Sequence, residues 1–279
     1  MIELMTGKGD YIELKTWKFP AGETGIKIVD TDTVLLADST LVVLNFEGND
    51  DLINMMLLVN AIRQIDPYKE INLDIPYFPY ARQDRVCADG ESFSLQVIAN
   101  IINNLNFKHI EVADPHSGVL DSFFNPGILI KNEQCEVLSG FIDSRIEKFK
   151  SSVSMYKKPR VALVSPDLGA TKKIYALAKM FNLEVLEAYK VRNVETGKIE
   201  STKLLFNPVE YEDYELIVVD DICDGGRTFI GLAEEINKSF KGTLTLAVTH
   251  GIFSAGLEAL EKYYDEIYCF NNMRKTCPF

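Results

Sequence analysis

The feature that most constrains this chain is an alternation of short apolar runs with longer amphipathic stretches. Val34-Leu35-Leu36 and Leu41-Val42-Val43-Leu44 read as strands. Over residues 51–65, Leu52, Met55, Met56, Val59 and Ile62 recur at helical spacing. Residues 70–75 predict a strand, 93–105 a helix and 109–112 a further strand. Such a series builds a largely parallel sheet covered by helices.

The rhythm restarts after a polar region. Helices are predicted over 139–149, 171–181, 228–237 and 256–264, and strands over 161–164, 215–219, 244–248 and 266–270. Residues 151–159 read as a linker. The two series predict an α/β protein of two similar lobes, 1–138 and 139–279, each a mostly parallel sheet flanked by helices.

Charge narrows the function classes. The formal net charge is −12, which disfavours nucleic acid and anionic membrane surfaces as partners. An anionic small substrate stays open, because nearby cations outweigh distant acids across a few Debye lengths. Cys87, Cys135, Cys223, Cys269 and Cys277 form no CxxC pair, which argues against a disulfide framework or a structural zinc site. No apolar run reaches the ~18 residues of a membrane span. These features predict a soluble cytoplasmic protein.

The stretch Val218-Val219-Asp220-Asp221-Ile222-Cys223-Asp224-Gly225-Gly226-Arg227-Thr228 carries the most chemistry. An apolar strand ends in two acids, a glycine loop follows, and a helix opens near Thr228. Paired carboxylates at a strand end accept hydrogen bonds from vicinal ribose hydroxyls. Gly225 and Gly226 allow close backbone approach, and a helix N-terminus with the Thr228 hydroxyl holds phosphate. The plainer alternative is an ordinary strand-to-helix turn with capping residues.

This stretch resembles the phosphoribosyl-binding loop of type I phosphoribosyltransferases and of phosphoribosyl-pyrophosphate synthetases. Further segments, in family order, resemble the synthetases. They are Phe19-Pro20-Ala21-Gly22-Glu23, the run from Pro76 through Arg82-Gln83-Asp84 to Arg85, Asp114-Pro115-His116-Ser117, Val164-Ser165-Pro166-Asp167-Leu168-Gly169-Ala170 and Thr249-His250-Gly251-Ile252-Phe253-Ser254. The resemblance implies two type I phosphoribosyltransferase-like lobes. It implies ATP binding by Phe19, Glu23, Arg82, Gln83, Asp84 and His116, with Phe19 stacking on adenine from a neighbouring subunit of a homo-oligomer. It implies Mg²⁺ held at His116 and Asp167, and ribose-phosphate binding by Asp220, Asp221, Asp224, Gly225, Gly226, Arg227 and Thr228. Lys190 and Arg192 become the cations of a mobile catalytic loop that continues through 193–201. Taken alone, Arg82 reads as a surface ion-pairing residue, Phe19 as core, and the Lys190-x-Arg192 pair as part of a solvated hairpin.

The sequence departs from the family pattern at four places. The phosphate loop usually reads Asp-Thr-(Gly/Cys/Ala)-Gly-Thr, and here Gly225 lacks the hydroxyl while Arg227 replaces a glycine. Ala21 stands where the adenine loop usually carries Asp. Residues 1–18 are too few for both the family's N-terminal helix and its first strands, and the chain stops soon after the strand at 266–270. The implied activity is transfer of the β,γ-diphosphoryl group of ATP to the C1 hydroxyl of a ribose 5-phosphate unit, with AMP released. The changed loop admits ribose 5-phosphate or 5′-substituted ADP-ribose as acceptor, the latter serving NAD synthesis. Two alternatives stand beside it: a phosphoribosyltransferase using phosphoribosyl pyrophosphate, and a non-catalytic regulatory relative.

Overall fold

The structure is a computed structural model that describes residues 1–152, 160–192 and 199–273. Of the linker expected at 151–159, Ser151 and Ser152 instead end a helix and 153–159 lie outside the described residues, as do most of the catalytic loop expected at 193–201 and Cys277. The chain divides into two compact units, Met1–Asn132 and Glu133–Phe279. The division precedes the 138/139 boundary read from the sequence, because the short helix after Glu133 packs within the second unit.

The first unit begins with β1 (Ile2–Thr6), β2 (Tyr11–Ile12) and a separate hairpin of β3 (Leu14–Lys18) and β4 (Thr24–Ile28). Then come α1 (Thr31–Leu36), β5 (Ser39–Leu44), α2 (Asn49–Ile65), β6 (Glu70–Asp74), α3 (Ser94–Asn103), β7 (Ile110–Ala113) and β8 (Leu129–Asn132). Its sheet runs β2-β1-β5-β6-β7-β8, parallel from β5 to β8 and antiparallel at β1 and β2. The apolar stripe of α2 (Leu52, Met55, Leu58, Val59, Ile62) is buried in one core with Leu4, Val42, Leu44 and Leu73 from the strands.

The second unit contains α4 (Gln134–Val137), α5 (Ser139–Ser152), β9 (Val161–Ser165), α6 (Thr171–Phe181), β10 (Glu184–Arg192), β11 (Ile199–Leu204), β12 (Glu215–Cys223), α7 (Arg227–Asn237), β13 (Thr243–Gly251) and β14 (Glu266–Asn272). Its sheet runs β11-β10-β9-β12-β13-β14 and is parallel except at β11. Strand alternation separates two cores. Ile217 and Val219 pack with Phe141, Ile142 and Ile146 of α5 and with Ile174 and Leu177 of α6. Leu216 and Val218 pack with Phe229, Leu232 and Ile236 of α7. From β9 the chain first winds to β10 on one side and then returns to β12 on the other. The carboxyl ends of β9 and β12 therefore flank a topological switch point, the usual crevice for a ligand in an open α/β sheet.

Three readings of local structure are corrected. Val34-Leu35-Leu36 is the end of helix α1, not a strand. Asp30 caps that helix by accepting from the Thr33 amide at 3.0 Å, while Val34 is buried and Leu35 and Leu36 are exposed. Residues 256–264 form successive turns instead of a helix, opened by left-handed backbone at Phe253 (φ 45°) and Gly256 (φ 86°). Strand β12 does not stop at Val219. It continues to Cys223 because β13 pairs with it as far as Cys223 opposite Gly251. Among the described residues no helix is long and apolar enough to cross a membrane.

Candidate active site

Asp167 follows β9, Lys190 lies on β10, and Asp220 and Asp221 lie near the end of β12. All four belong to the second unit, around its switch point. The Asp167 carboxylate is held on both oxygens. Its Oδ1 accepts from the amides of Gly169 (2.9 Å) and Ala170 (3.2 Å), and its Oδ2 pairs with Lys190 Nζ at 2.5 Å. The turn beneath it is fixed by the Ser165 hydroxyl, which donates to the Asp167 carbonyl at 2.8 Å. Burial pulls the Asp167 carboxyl upward, but Lys190 and the two amides outweigh it and hold the group below the usual carboxylate range.

Asp220 responds in the opposite sense. Burial, and then the charge of Asp221, push its carboxyl well above the ordinary range, and Asp167 adds to the rise. The Asp221 amide donates to Asp220 Oδ1 at 3.0 Å, and Lys173 of α6 approaches Asp221 at 3.9 Å. The switch point thus crowds the carboxyls of Asp167, Asp220 and Asp221 around Lys190 and Lys173. Such a site suits hydroxyl donors or a cation that arrives with its ligand.

The loop after β12 leads into α7 through Gly226, which caps the helix at φ 76° without a side-chain bond. A Cβ at that glycine would stand 3.2 Å from Leu260, so both conformation and space favour glycine. The amides of the first helical turn, with no capping side chain, are oriented to receive an anion. Asp224 accepts from the Ser254 hydroxyl at 2.6 Å. Thr228 is half-buried in the first turn. Arg227 is exposed and takes no ion pair among the described residues.

In the first unit, Arg82, Gln83, Asp84 and His116 line one cavity of about 510 Å³ together with Arg85, Cys87, Glu91, Ser92 and Ser94. Left-handed backbone aims both contributing segments, at Tyr80 (φ 61°) before Arg82 and at Asp114 (φ 41°) before His116. The Gln83 amide closes the turn on the Tyr80 carbonyl at 2.9 Å. Phe19 and Glu23 are not among the lining residues. They sit at the exposed tip of the β3–β4 hairpin, where the Phe19 amide donates to the Glu23 carbonyl and the Phe19 ring meets Trp17 edge-on at 6.1 Å. Arg192 ends β10, and the described structure covers its backbone only.

Sequence reasoning gave no role to Lys173, Ser254, Arg85 or Glu91. Both Lys173 and Ser254 reach the site from elements far away in the chain; no local pattern marks Lys173, and Ser254 lies in the 249–254 segment that resembles the family without a role attached. Arg85 ends the segment already quoted from Pro76, and Glu91 lies a few residues beyond it, so proximity was the available signal.

The fold and site define a class: α/β proteins with type I phosphoribosyltransferase-like lobes and an acid pair leading into a glycine phosphate loop. The profile described as the N-terminal domain of ribose phosphate pyrophosphokinase matches residues 8–105. Ribose-phosphate pyrophosphokinase of Pyrococcus furiosus is 29% identical over 271 residues, covering 94% of this chain and 86% of that one. The Thermococcus kodakarensis protein of the same name is 25% identical over 275 residues, covering 97% and 89%. The crystal structure of phosphoribosylpyrophosphate synthetase from Mycobacterium smegmatis matches with a TM-score of 0.77 at 19% identity, covering 98% of this chain and 85% of that one, and so shares the fold. Along nearly its whole length the chain is similar to ribose-phosphate pyrophosphokinases, and like them it is an enzyme.

Proposed function

We propose that this enzyme transfers the β,γ-diphosphoryl group of ATP to the C1 hydroxyl of a ribose 5-phosphate unit and releases AMP. The observation that carries the reading is the Lys190–Asp167 pair at the same switch point as Asp220 and Asp221. Asp220 and Asp221 accept hydrogen bonds from the ribose hydroxyls, and the amides of Gly226 to Thr228 take the 5′-phosphate. The C1 hydroxyl attacks the β-phosphorus, and the bridging oxygen leaves with AMP. Lys190 and Arg192 supply positive charge to the transferring group, so positioning and electrostatics carry the rate without a covalent intermediate. Arg82, Gln83, Asp84 and His116 bind ATP.

Magnesium belongs to this reading. Among the described residues no group of three or more His, Cys, Asp or Glu side chains is arranged to hold a metal. Mg²⁺ asks for less, since it commonly binds through one or two carboxylates plus substrate phosphates. Burial, and then the charge of Asp221, raise Asp220, and such an acidic setting fits a cation brought in on the substrate; Asp167 is the protein-side partner proposed in the second unit, and His116 the one proposed in the first. When bound, it would neutralise phosphate oxygens and orient them.

The acceptor is the finer question, and Arg227 favours a second reading. An exposed guanidinium without an ion pair among the described residues, in a chain of net charge −12, is suited to an anion from outside. Gly225 leaves room beside it, since a Cβ there would meet only Ser254 Oγ, at 3.7 Å. Both features suit a 5′-diphosphate, and hence ADP-ribose as acceptor in NAD synthesis. On the same reading the enzyme works in the cytoplasm as a homo-oligomer, with the hairpin tip at Phe19 and Glu23 contacting adenine in a neighbouring subunit. The exposure of Trp17 and Phe19 supports that arrangement.

The test is incubation with ATP, Mg²⁺ and either ribose 5-phosphate or ADP-ribose, with products identified by mass and Lys190→Ala as the control. AMP release that depends on an acceptor and on Lys190 is expected. Removing a charge-stabilising donor lowers kcat by roughly 10²–10³-fold, while ATP binding by calorimetry persists. Turnover with ribose 5-phosphate alone would sink the role given to Arg227. Absence of AMP with both acceptors would favour a regulatory relative, and consumption of phosphoribosyl pyrophosphate with a base would favour a phosphoribosyltransferase.

A further inference from the structure

The segment that follows β13 touches the phosphate loop at consecutive residues. The amides of Ile252 and Phe253 both donate to the Cys223 carbonyl, at 2.8 and 3.1 Å. The Ser254 hydroxyl donates to Asp224 Oδ1 at 2.6 Å. A Cβ at Gly225 would lie 3.7 Å from that hydroxyl, and the Leu260 side chain closes over Gly226. Residues 223–226 are thus lined on one side by residues 252–260.

The brace is itself held under strain. Phe253 adopts φ 45°, an unfavourable conformation for a bulky side chain. Such backbone persists only where its surroundings over-determine it. Here the Phe253 ring is fully buried and packs so closely on Gly251 that a Cβ there would fall 2.0 Å from Cε2. The Gly256 amide closes the turn on the Phe253 carbonyl at 2.9 Å. The buried ring anchors the turn, and the next residue, Ser254, is left exposed and directed at Asp224.

We propose that Ser254 is a positioning residue for the sugar-phosphate loop: its hydroxyl fixes Asp224, and through it the backbone from Gly225 to Thr228 that receives the acceptor's phosphate. Gly225 supplies no side chain to stabilise the loop from within, so the support comes from outside it. The catalytic use of this brace rests on the function proposed above, whereas its existence does not.

Two measurements on Ser254→Ala and Ser254→Thr test it. The first is native-state amide exchange across residues 224–228 without ligand. Faster exchange in the Ala variant, restored in the Thr variant, is expected, and unchanged exchange would overturn the brace. The second is steady-state kinetics with the active acceptor. Loss of one hydrogen bond to a carboxylate should raise the acceptor's KM roughly tenfold in the Ala variant, with the KM for ATP unchanged and the Thr variant near normal. Equal rises in both KM values, or no rise for the acceptor, would reduce Ser254 to a structural role and overturn the positioning claim. A wild-type enzyme inactive with both acceptors would instead contradict the proposed function, and the exchange result would still decide the brace.

Discussion

Asp74 shows how a single residue reports on its lobe. It faces Glu111 across the paired ends of β6 and β7. Burial, and then Glu111, push its carboxyl up to about 6 from 3.8. The folded state therefore binds this proton more tightly than the unfolded chain does. Stability from this site is complete below the unfolded value and is lost as pH rises toward about 6. Asp74→Asn should melt at a higher temperature than the parent at pH 7, and the difference should shrink as the pH falls toward 4. A constant difference across that range would contradict the assignment. At this scale the acid pair Asp220-Asp221 was legible from residue type and neighbours, whereas the Arg82–Asp84 segment was legible only through its resemblance to the family. The approach of Lys173 to Asp221 and the bond from Ser254 to Asp224 were not legible, because both arise through the fold.

Among the elements, α5 depends on one buried cation. Arg145 donates from Nε to both carboxylate oxygens of Glu215 on β12 and from Nη1 to Glu266 on β14. The Thr245 hydroxyl of β13 adds a bond to Glu215 at 2.7 Å. Burial works against the charge on Arg145, yet the two glutamates prevail and raise its pKa. Removing the arginine would leave the half-buried Glu215 without its main partner. Arg145→Ala should therefore lower the unfolding free energy by about 3 kcal/mol, read as a lower urea midpoint. An unchanged midpoint would show that the clamp adds nothing. The long amphipathic helices α2, α3, α6 and α7 were readable from their apolar period. Helix α1 and the turns at 256–264 were not. In α1 one capping aspartate outweighs a three-residue apolar run, and after Phe253 left-handed backbone breaks a pattern that otherwise has helical spacing.

For the whole molecule, the repeated strand–helix rhythm disclosed two lobes, and the structure gives each unit a six-stranded, mostly parallel sheet. The strand orders were not legible, because nothing local to β9 says that β10 and β12 flank it on opposite sides. Yet that order assembles the site in the second unit, by bringing Asp167, Lys190 and the β12 acids to one sheet end. The central claim is nucleophilic attack on the β-phosphorus of ATP, and the fate of a single oxygen tests it most directly. ATP carrying heavy oxygen in the α–β bridge is turned over with the active acceptor, and both products are weighed. Attack at the β-phosphorus places all of the label in AMP and none in the new diphosphoryl ester. Label in the diphosphoryl product, or release of ADP in place of AMP, would contradict it.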